Sequence, residues 1–194
     1  MQVIGPRSVQ LVKDFLEEVG SHQNTRALDV AGGDGRFSVD FLLTKYQKVD
    51  LFDQCPTGAG KAKEAMKYKR GAGDIKVESM QNYRWDNKYT GVYMIWCAGY
   101  LSETLLKKFL ERAKRHLRND GQRTSRREAP DCFVFVLDNV LEDGEESYFL
   151  KTQRLRTQAQ FETIFSWAGL VVHKRSERMS VGDDFMKVML WALY

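Results

Sequence analysis

Residues 28–36 (LDVAGGDGR) bring Gly32, Gly33 and Gly35 together at the point where a short apolar run ends. Glycines there let the backbone turn sharply and approach a ligand closely, and a helix starting just after them offers unpaired N–H groups. Twenty residues after Gly33, a second apolar run (KVDLFD) ends in Asp53. A carboxylate so placed can accept hydrogen bonds from both ribose hydroxyls, so loop and acid together predict a ligand containing adenosine. The structural alternative for Asp53 is a turn or helix N-cap residue. Two other nucleotide signatures fail on spacing. A dinucleotide fingerprint starting at Gly33 needs glycine at position 38, where Ser38 stands. A triphosphate-binding loop over Gly58-Ala-Gly-Lys61 needs glycine at 55 and Ser or Thr at 62, where the chain has Cys55 and Ala62.

The elements that must carry these residues alternate. Leu11, Val12, Phe15, Leu16 and Val19 recur at helical spacing, residues 25–30 (TRALDV) read as a buried strand, and Phe37, Phe41 and Leu42 suggest a helix after the glycines. Residues 48–53 predict a second strand, 59–69 a helix and 75–78 a weaker strand. The continuous apolar run 92–97 (VYMIWC) predicts a central strand covered on both faces, and Ser102 opens an amphipathic helix that uses Leu105, Leu106, Phe109, Leu110, Ala113 and Leu117. Asn119-Asp120-Gly121 stops it, 122–130 form a loop, and 132–138 (CFVFVLD) are the next buried strand. A helix over 158–167 and two strands, 170–174 and 185–193, joined by 176–184, close the pattern. Such alternation implies an α/β fold around a mostly parallel sheet, which binds its ligand at the carboxyl ends of the strands.

Composition bounds the reading. A chain of 194 residues, 43% hydrophobic and 12% aromatic, makes one domain over residues 1–194 with a sizeable core, and disordered or collagen-like classes are excluded. No apolar run reaches the roughly 18 residues of a membrane span, and the start lacks the apolar core of a secretory signal, so no membrane partner and a cytoplasmic or nuclear location are expected. Cys55, Cys97 and Cys132 have no metal-ligand spacing and read as buried thiols, with no metal. Thirty Lys and Arg against 26 Asp and Glu give a net +4. Residues 111–128 hold seven bases (Arg112, Lys114, Arg115, Arg118, Arg123, Arg126, Arg127) against three acids, which accounts for the whole excess. That basic stretch is a candidate surface for a nucleic acid or protein partner, although no aromatic residues are interleaved for base stacking. Residues 138–149 are the opposite: Asp138, Glu142, Asp143, Glu145 and Glu146 with no base, either a solvated loop or an attractor of basic substrates.

The glycine loop resembles that of class I S-adenosylmethionine-dependent methyltransferases, and several segments narrow the resemblance to the protein α-N-terminal methyltransferases. LDVAGGDGR is similar to the family's LDCGAGIGR, with Ala31 in place of the first glycine. IWCAGYLS (95–102) resembles QWxxGHLTD, LRNDG (117–121) the LRPNG turn, LDNV (137–140) the KDN strand end and SWAGL (166–170) the SAGL segment. The resemblance implies a Rossmann-like class I methyltransferase fold, a mostly parallel seven-stranded sheet with a terminal antiparallel strand and helices on both faces. It also implies a monomer that uses S-adenosylmethionine to methylate the α-amino group of protein N-termini of the X-Pro-Lys/Arg type.

By the same resemblance, Ala31, Gly33, Gly35 and Arg36 hold the cofactor's methionine part, Asp53 with Gln54 its ribose, and Met80 and Gln81 its adenine. Trp96 flanks cofactor and peptide, and Asn139 binds the terminal amine. The chain departs from the family at Tyr100, which replaces the His that assists deprotonation, at Lys151, which aligns with an Asp, and at Ile95, which replaces a cofactor-contacting Gln. Tyrosine, with an ordinary pKa of about 10, is a poor base at neutral pH. Asp138, Glu142, Asp143, Glu145 and Glu146 are therefore candidate replacements, with Tyr100 and Asn139 orienting the amine. These departures leave two alternatives open: a methyltransferase-fold binding or assembly module with impaired catalysis, and an RNA methyltransferase using residues 112–127. Family members also carry an N-terminal segment that covers cofactor and substrate, whereas this sequence starts one helix before the glycine loop.

Overall fold

The computed structural model describes residues 6–19, 25–118, 131–150, 152–179 and 187–194. Helix α1 (Pro6–Val19) turns Val12, Phe15, Leu16 and Val19 inward, and β1 (Arg26–Val30) follows with its last four residues buried. Beyond the glycine loop, the expected helix is a π turn (Ser38–Leu42) running into α2 (Leu43–Lys45); it still buries Phe37, Phe41 and Leu42. Next come β2 (Lys48–Asp53), α3 (Pro56–Met66), β3 (Ala72–Val77), β4 (Gly91–Ile95), a 3-10 turn (Ala98–Tyr100) and α4 (Glu103–His116). Strand β5 (Phe133–Leu141), the small hairpin β6 (Phe149–Leu150) and β7 (Gln153–Arg154), β8 (Arg156–Thr157), α5 (Gln158–Trp167), β9 (Val172–Met179) and β10 (Lys187–Leu193) complete the order.

The sheet runs β3-β2-β1-β4-β5-β10-β9, with β8 also paired to β5. The first five strands are parallel and β10 is antiparallel to both neighbours. Successive residues of a strand face opposite sides, so a sheet covered on both faces needs apolar residues throughout. Ala27, Tyr93 and Phe135 pack under α1, α2 and α3, while Leu28, Met94, Val136 and Trp191 pack under α4 and α5. Each such fully buried large side chain contributes about 1.5–3 kcal/mol. At the amino end of the sheet Asp50 is buried and accepts from the Arg26 guanidinium (2.8 and 2.9 Å), the Asp74 N–H (2.9 Å), Asn87 and the Tyr89 hydroxyl, which locks β1 to β2.

Several bounds differ from the sequence expectation for identifiable reasons. Helix α3 starts at Pro56 rather than 59, because proline at a first helical position loses only an N–H that has no partner there. Strand β4 stops at Ile95 because Trp96 adopts a left-handed φ of 54°. Strand β5 runs on to Leu141, since Met189 and Val188 of β10 pair with Asp138 and Asn139. Two-residue strands such as β6, β7 and β8 are too short for a periodic signal. The 119–121 turn, the 122–130 loop and part of the 176–184 connection lie outside the described residues.

Strand β1 has β2 on one side and β4 on the other, and their connections leave for opposite faces of the sheet. That split opens a crevice at the carboxyl edge. Gly35 seats the loop after β1 on α3: its φ is +77°, and an added Cβ would lie 2.9 Å from the Ala62 Cβ. Gly35→Ala should therefore lose about 1–3 kcal/mol in chemical denaturation; unchanged stability would contradict this packing.

Candidate active site

Asp53 ends β2 with a buried carboxylate that ties two loops together. Its Oδ2 accepts from the Gly33 N–H (2.9 Å) and its Oδ1 from the Cys55 N–H (2.7 Å). Each oxygen spends one of its two lone pairs, leaving acceptor capacity facing the crevice. The loop after β1 passes so close beneath that a Cβ on Gly32 would fall 2.6 Å from the Leu51 Cδ1 and 2.7 Å from the Asp29 Cγ. Gly58, in the segment read as a failed phosphate loop, has its own purpose. A Cβ there would meet the Gly33 carbonyl oxygen at 3.3 Å, so its bareness lets α3 approach the glycine loop.

These loops border a cavity of about 670 Å³. Of the residues expected to hold a cofactor, Ala31, Gly33, Arg36, Asp53 and Gln54 line one part, and Met80, Gln81 and Trp96 line another, while Gly35 packs on α3 instead. Tyr100 also lines it. Asn139, Asp138, Glu142 and Asp143 do not. The sequence reading missed Thr57, Gly58, Lys61, Glu78 and Thr152, which complete the walls. Gly58 and Lys61 were visible as residue types, but only the fold carries α3 to the glycine loop.

Electrostatics sort these groups by task. Burial pushes the Asp29 carboxyl up to about 7, against the Ser38 hydroxyl that donates to it at 2.7 Å and with a further push from Asp53. Asp138 is pushed up to about 6 by burial, opposed by the Asn139 and Gly99 N–H groups that its oxygens accept at 2.9 and 3.1 Å. Its carboxylate is thus committed to the backbone beneath Tyr100 rather than open to a substrate. The Tyr100 hydroxyl lies above its ordinary value, through burial and then the neighbouring Asp138, so it stays protonated. Asn139 is buried, and its Oδ1 has no hydrogen-bond partner among the described residues. Arg36 sits at the mouth beside Asp34 (3.4 Å), and Glu142 and Asp143 are exposed on the loop after β5, Glu142 3.4 Å from Lys187. Within the basic stretch, Arg112 donates to the carbonyls of Gln81 (2.8 Å) and Tyr83, and Lys114 to that of Gly169, so both serve the fold. Arg123, Arg126 and Arg127, like Lys151, lie outside the described residues.

A seven-strand order with its sixth position antiparallel, a glycine loop after β1 and an acid after β2 define a class I methyltransferase fold. A solved structure of an S-adenosylmethionine-dependent methyltransferase from Leishmania major shares it, with a TM-score of 0.82 at 21% identity over 96% of this chain and 71% of that one. The chain belongs to the family described as AdoMet dependent proline di-methyltransferase, whose model matches residues 2–194. It is 26% identical over 190 residues to N-terminal Xaa-Pro-Lys N-methyltransferase 1-B of Xenopus laevis, covering 96% of this chain and 80% of the relative. It is 30% identical over 130 residues to alpha N-terminal protein methyltransferase 1 of Drosophila melanogaster, covering 65% of this chain. The matched region spans 43% of the Drosophila protein's length.

The residues present fit the family's cofactor: Asp53 keeps lone pairs for ribose hydroxyls, the crowded glycines let the loop after β1 pack closely on β2 and α3 beside it, and Phe52 and Met80 give an apolar wall for a purine. Asp53→Ala should weaken S-adenosylhomocysteine binding by about 10²-fold in calorimetry; affinity within a factor of about two of wild type would contradict the assignment. The raised Asp29 carboxyl makes a second prediction. An acid with a raised folded pKa contributes stability below its unfolded value, about 4, that is lost as pH rises through about 7. The melting temperature of Asp29→Asn should therefore gain on wild type from about pH 5 to 8, and a constant difference would count against a buried, protonatable Asp29.

Proposed function

We propose that the protein is a methyltransferase acting on the α-amino group of protein N-termini of the X-Pro-Lys/Arg type. The observation that carries this reading is one continuous cavity that joins Asp53 and the glycine loop to Trp96 and Tyr100. When bound, S-adenosylmethionine supplies a methyl group on a sulfonium. What the protein must add is an amine with a free lone pair, held in line and shielded from water. An α-amine has a pKa near 8, so about a tenth is already unprotonated at pH 7. Deprotonation therefore asks less of this site than it would for a lysine side chain, and a protonated tyrosine can stand where the family has an imidazole.

The Asn139 Oδ1, buried outside the cavity lining and without a partner among the described residues, is an acceptor suited to an amine N–H if the substrate's end reaches past Trp96 and Tyr100. Tyr100 contributes a neutral hydroxyl that accepts or donates one hydrogen bond while Trp96 walls the peptide. The exposed acids Glu142 and Asp143 offer a negative rim to a basic residue that follows the amine. Of the cysteines expected to be buried only Cys97 is, whereas Cys55 is exposed and Cys132 half-buried; cysteines that do not form a disulfide framework support a reading of cytoplasm or nucleus. A catalytically impaired binding module is the second reading, favoured by the raised Tyr100 hydroxyl. An RNA substrate has less support, because Arg112 and Lys114 already bind backbone carbonyls.

Mass spectrometry of a peptide with a free X-Pro-Lys terminus tests the first reading. Methylation should occur, with kcat/KM rising with pH through an inflection at about 8 to a plateau above it, and Asn139→Ala should lower it about 10²-fold with S-adenosylhomocysteine binding intact. Cofactor uptake without turnover on a panel of such peptides would favour the binding module. Tyr100→His should speed the reaction below neutrality and add an inflection near about 6.5; an unchanged pH profile would remove Tyr100 from the amine's surroundings.

A further inference from the structure

Arg156, on β8, has no exposed surface, and yet among the described residues its side chain makes a single hydrogen bond, from Nη2 to the Leu101 carbonyl at 2.6 Å. Its Nε and Nη1 have no partner among them. The guanidinium lies over the Phe161 ring, 5.6 Å from its centre, and β8 pairs Arg156 with Val140, two residues beyond Asp138. Burial lowers its pKa; Glu103 and Asp138 pull the other way without touching it in a salt bridge. Burying a charge with so little compensation costs several kcal/mol, and an apolar side chain of the same volume in such a place is often neutral or stabilising. Packing alone therefore does not account for arginine here.

What arginine adds falls on one loop. Residues 96–101 carry Trp96 and Tyr100 into the cavity, and their anchors come from β5 and the 153–156 segment rather than from β4. The Gly99 N–H donates to Asp138 at 3.1 Å, Gln153 Nε2 donates to the Trp96 carbonyl at 3.2 Å, and Arg156 holds the Leu101 carbonyl. Contact is close enough that a Cβ on Gly99 would meet the Arg154 carbonyl oxygen at 3.1 Å. Trp96 itself sits at a φ of 54°, a conformation that persists only where the surroundings over-determine it. We infer that Arg156 is a positioning residue: with Asp138 and Gln153 it clamps residues 96–101 and so sets how Trp96 and Tyr100 meet the substrate. The role in substrate presentation rests on the methyltransferase reading; the clamp itself does not.

Hydrogen–deuterium exchange on the ligand-free protein tests the clamp. Arg156→Met should speed exchange in residues 96–101 about tenfold or more, with the amides of β4 and β5 unchanged, and Arg156→Lys should fall between, since it keeps a charged donor for Leu101. Exchange at 96–101 that stays at the wild-type rate, or rises only in step with the whole sheet, would overturn it. Should Arg156→Met fail to fold, Arg156→Lys decides alone: a local increase at 96–101 supports the clamp and a uniform or absent one refutes it. Calorimetry then separates positioning from structure: X-Pro-Lys peptide affinity of the S-adenosylhomocysteine-loaded Arg156→Met protein, or of Arg156→Lys if Arg156→Met does not fold, should fall about tenfold, with S-adenosylhomocysteine affinity within a factor of about three. Unchanged peptide affinity would overturn the positioning role. Wild-type protein that binds no peptide would sink the proposed substrate while leaving the exchange result standing.

Discussion

The chain leaves β1 and β4 in opposite directions, and each exit turns on a non-glycine residue in the left-handed region, Ala31 at 52° and Trp96 at 54°. Everything at the carboxyl edge depends on these two turns being held. Left-handed backbone costs a residue with a side chain about 1–3 kcal/mol, so neighbours must enforce it. On the β1 side the enforcement is the Asp53 carboxylate, which fixes the Gly33 N–H, and the Phe52 carbonyl, which accepts from the Gly32 N–H at 3.1 Å. On the β4 side the Trp96 N–H is held by the Leu137 carbonyl at 2.9 Å and its carbonyl by Gln153. The cavity is the space that these two constrained turns keep open.

The two halves differ in how they are built. The cofactor half is local: β1, β2 and α3 are consecutive, and one carboxylate plus three crowded glycines shape it. The substrate half is assembled from distant segments, with residues 96–101 clamped by Asp138, Gln153 and Arg156. Asp138 belongs to that clamp. Its carboxylate is turned to backbone N–H groups, which distinguishes it from Asn139, whose buried side-chain oxygen has no hydrogen-bond partner among the described residues. Under the proposed function, a site whose base positions hold Tyr100 and, by sequence alignment, Lys151 would rely on orientation and on the ready deprotonation of an α-amine.

This division explains what the residues revealed by themselves. The alternation of strands and helices, the glycine loop and Asp53 were legible because each rests on short-range pattern: period, spacing and order along the chain. Gly58 was not, since its neighbour is the Gly33 carbonyl on another loop, and its surroundings in sequence resemble a phosphate loop instead. Gly35 looked like a ligand-facing glycine for the same reason; its packing against Ala62 is tertiary. The extension of β5 past Asp138 depends on pairing with β10, and the burial of Arg156 on a strand of two residues. Neither leaves a periodic trace.

In the proposed function, Asn139 and the loop of residues 96–101 present a terminal amine to a methyl donor held by Asp53 and the glycine loop. A crystal structure of the protein with S-adenosylhomocysteine and an X-Pro-Lys peptide tests it most directly. The adenosine ribose should lie on Asp53, the terminal amine on the Asn139 Oδ1 and the first peptide residues against Trp96 and Tyr100. A peptide bound away from Asn139, or a cofactor product seated without contact to Asp53, would contradict it.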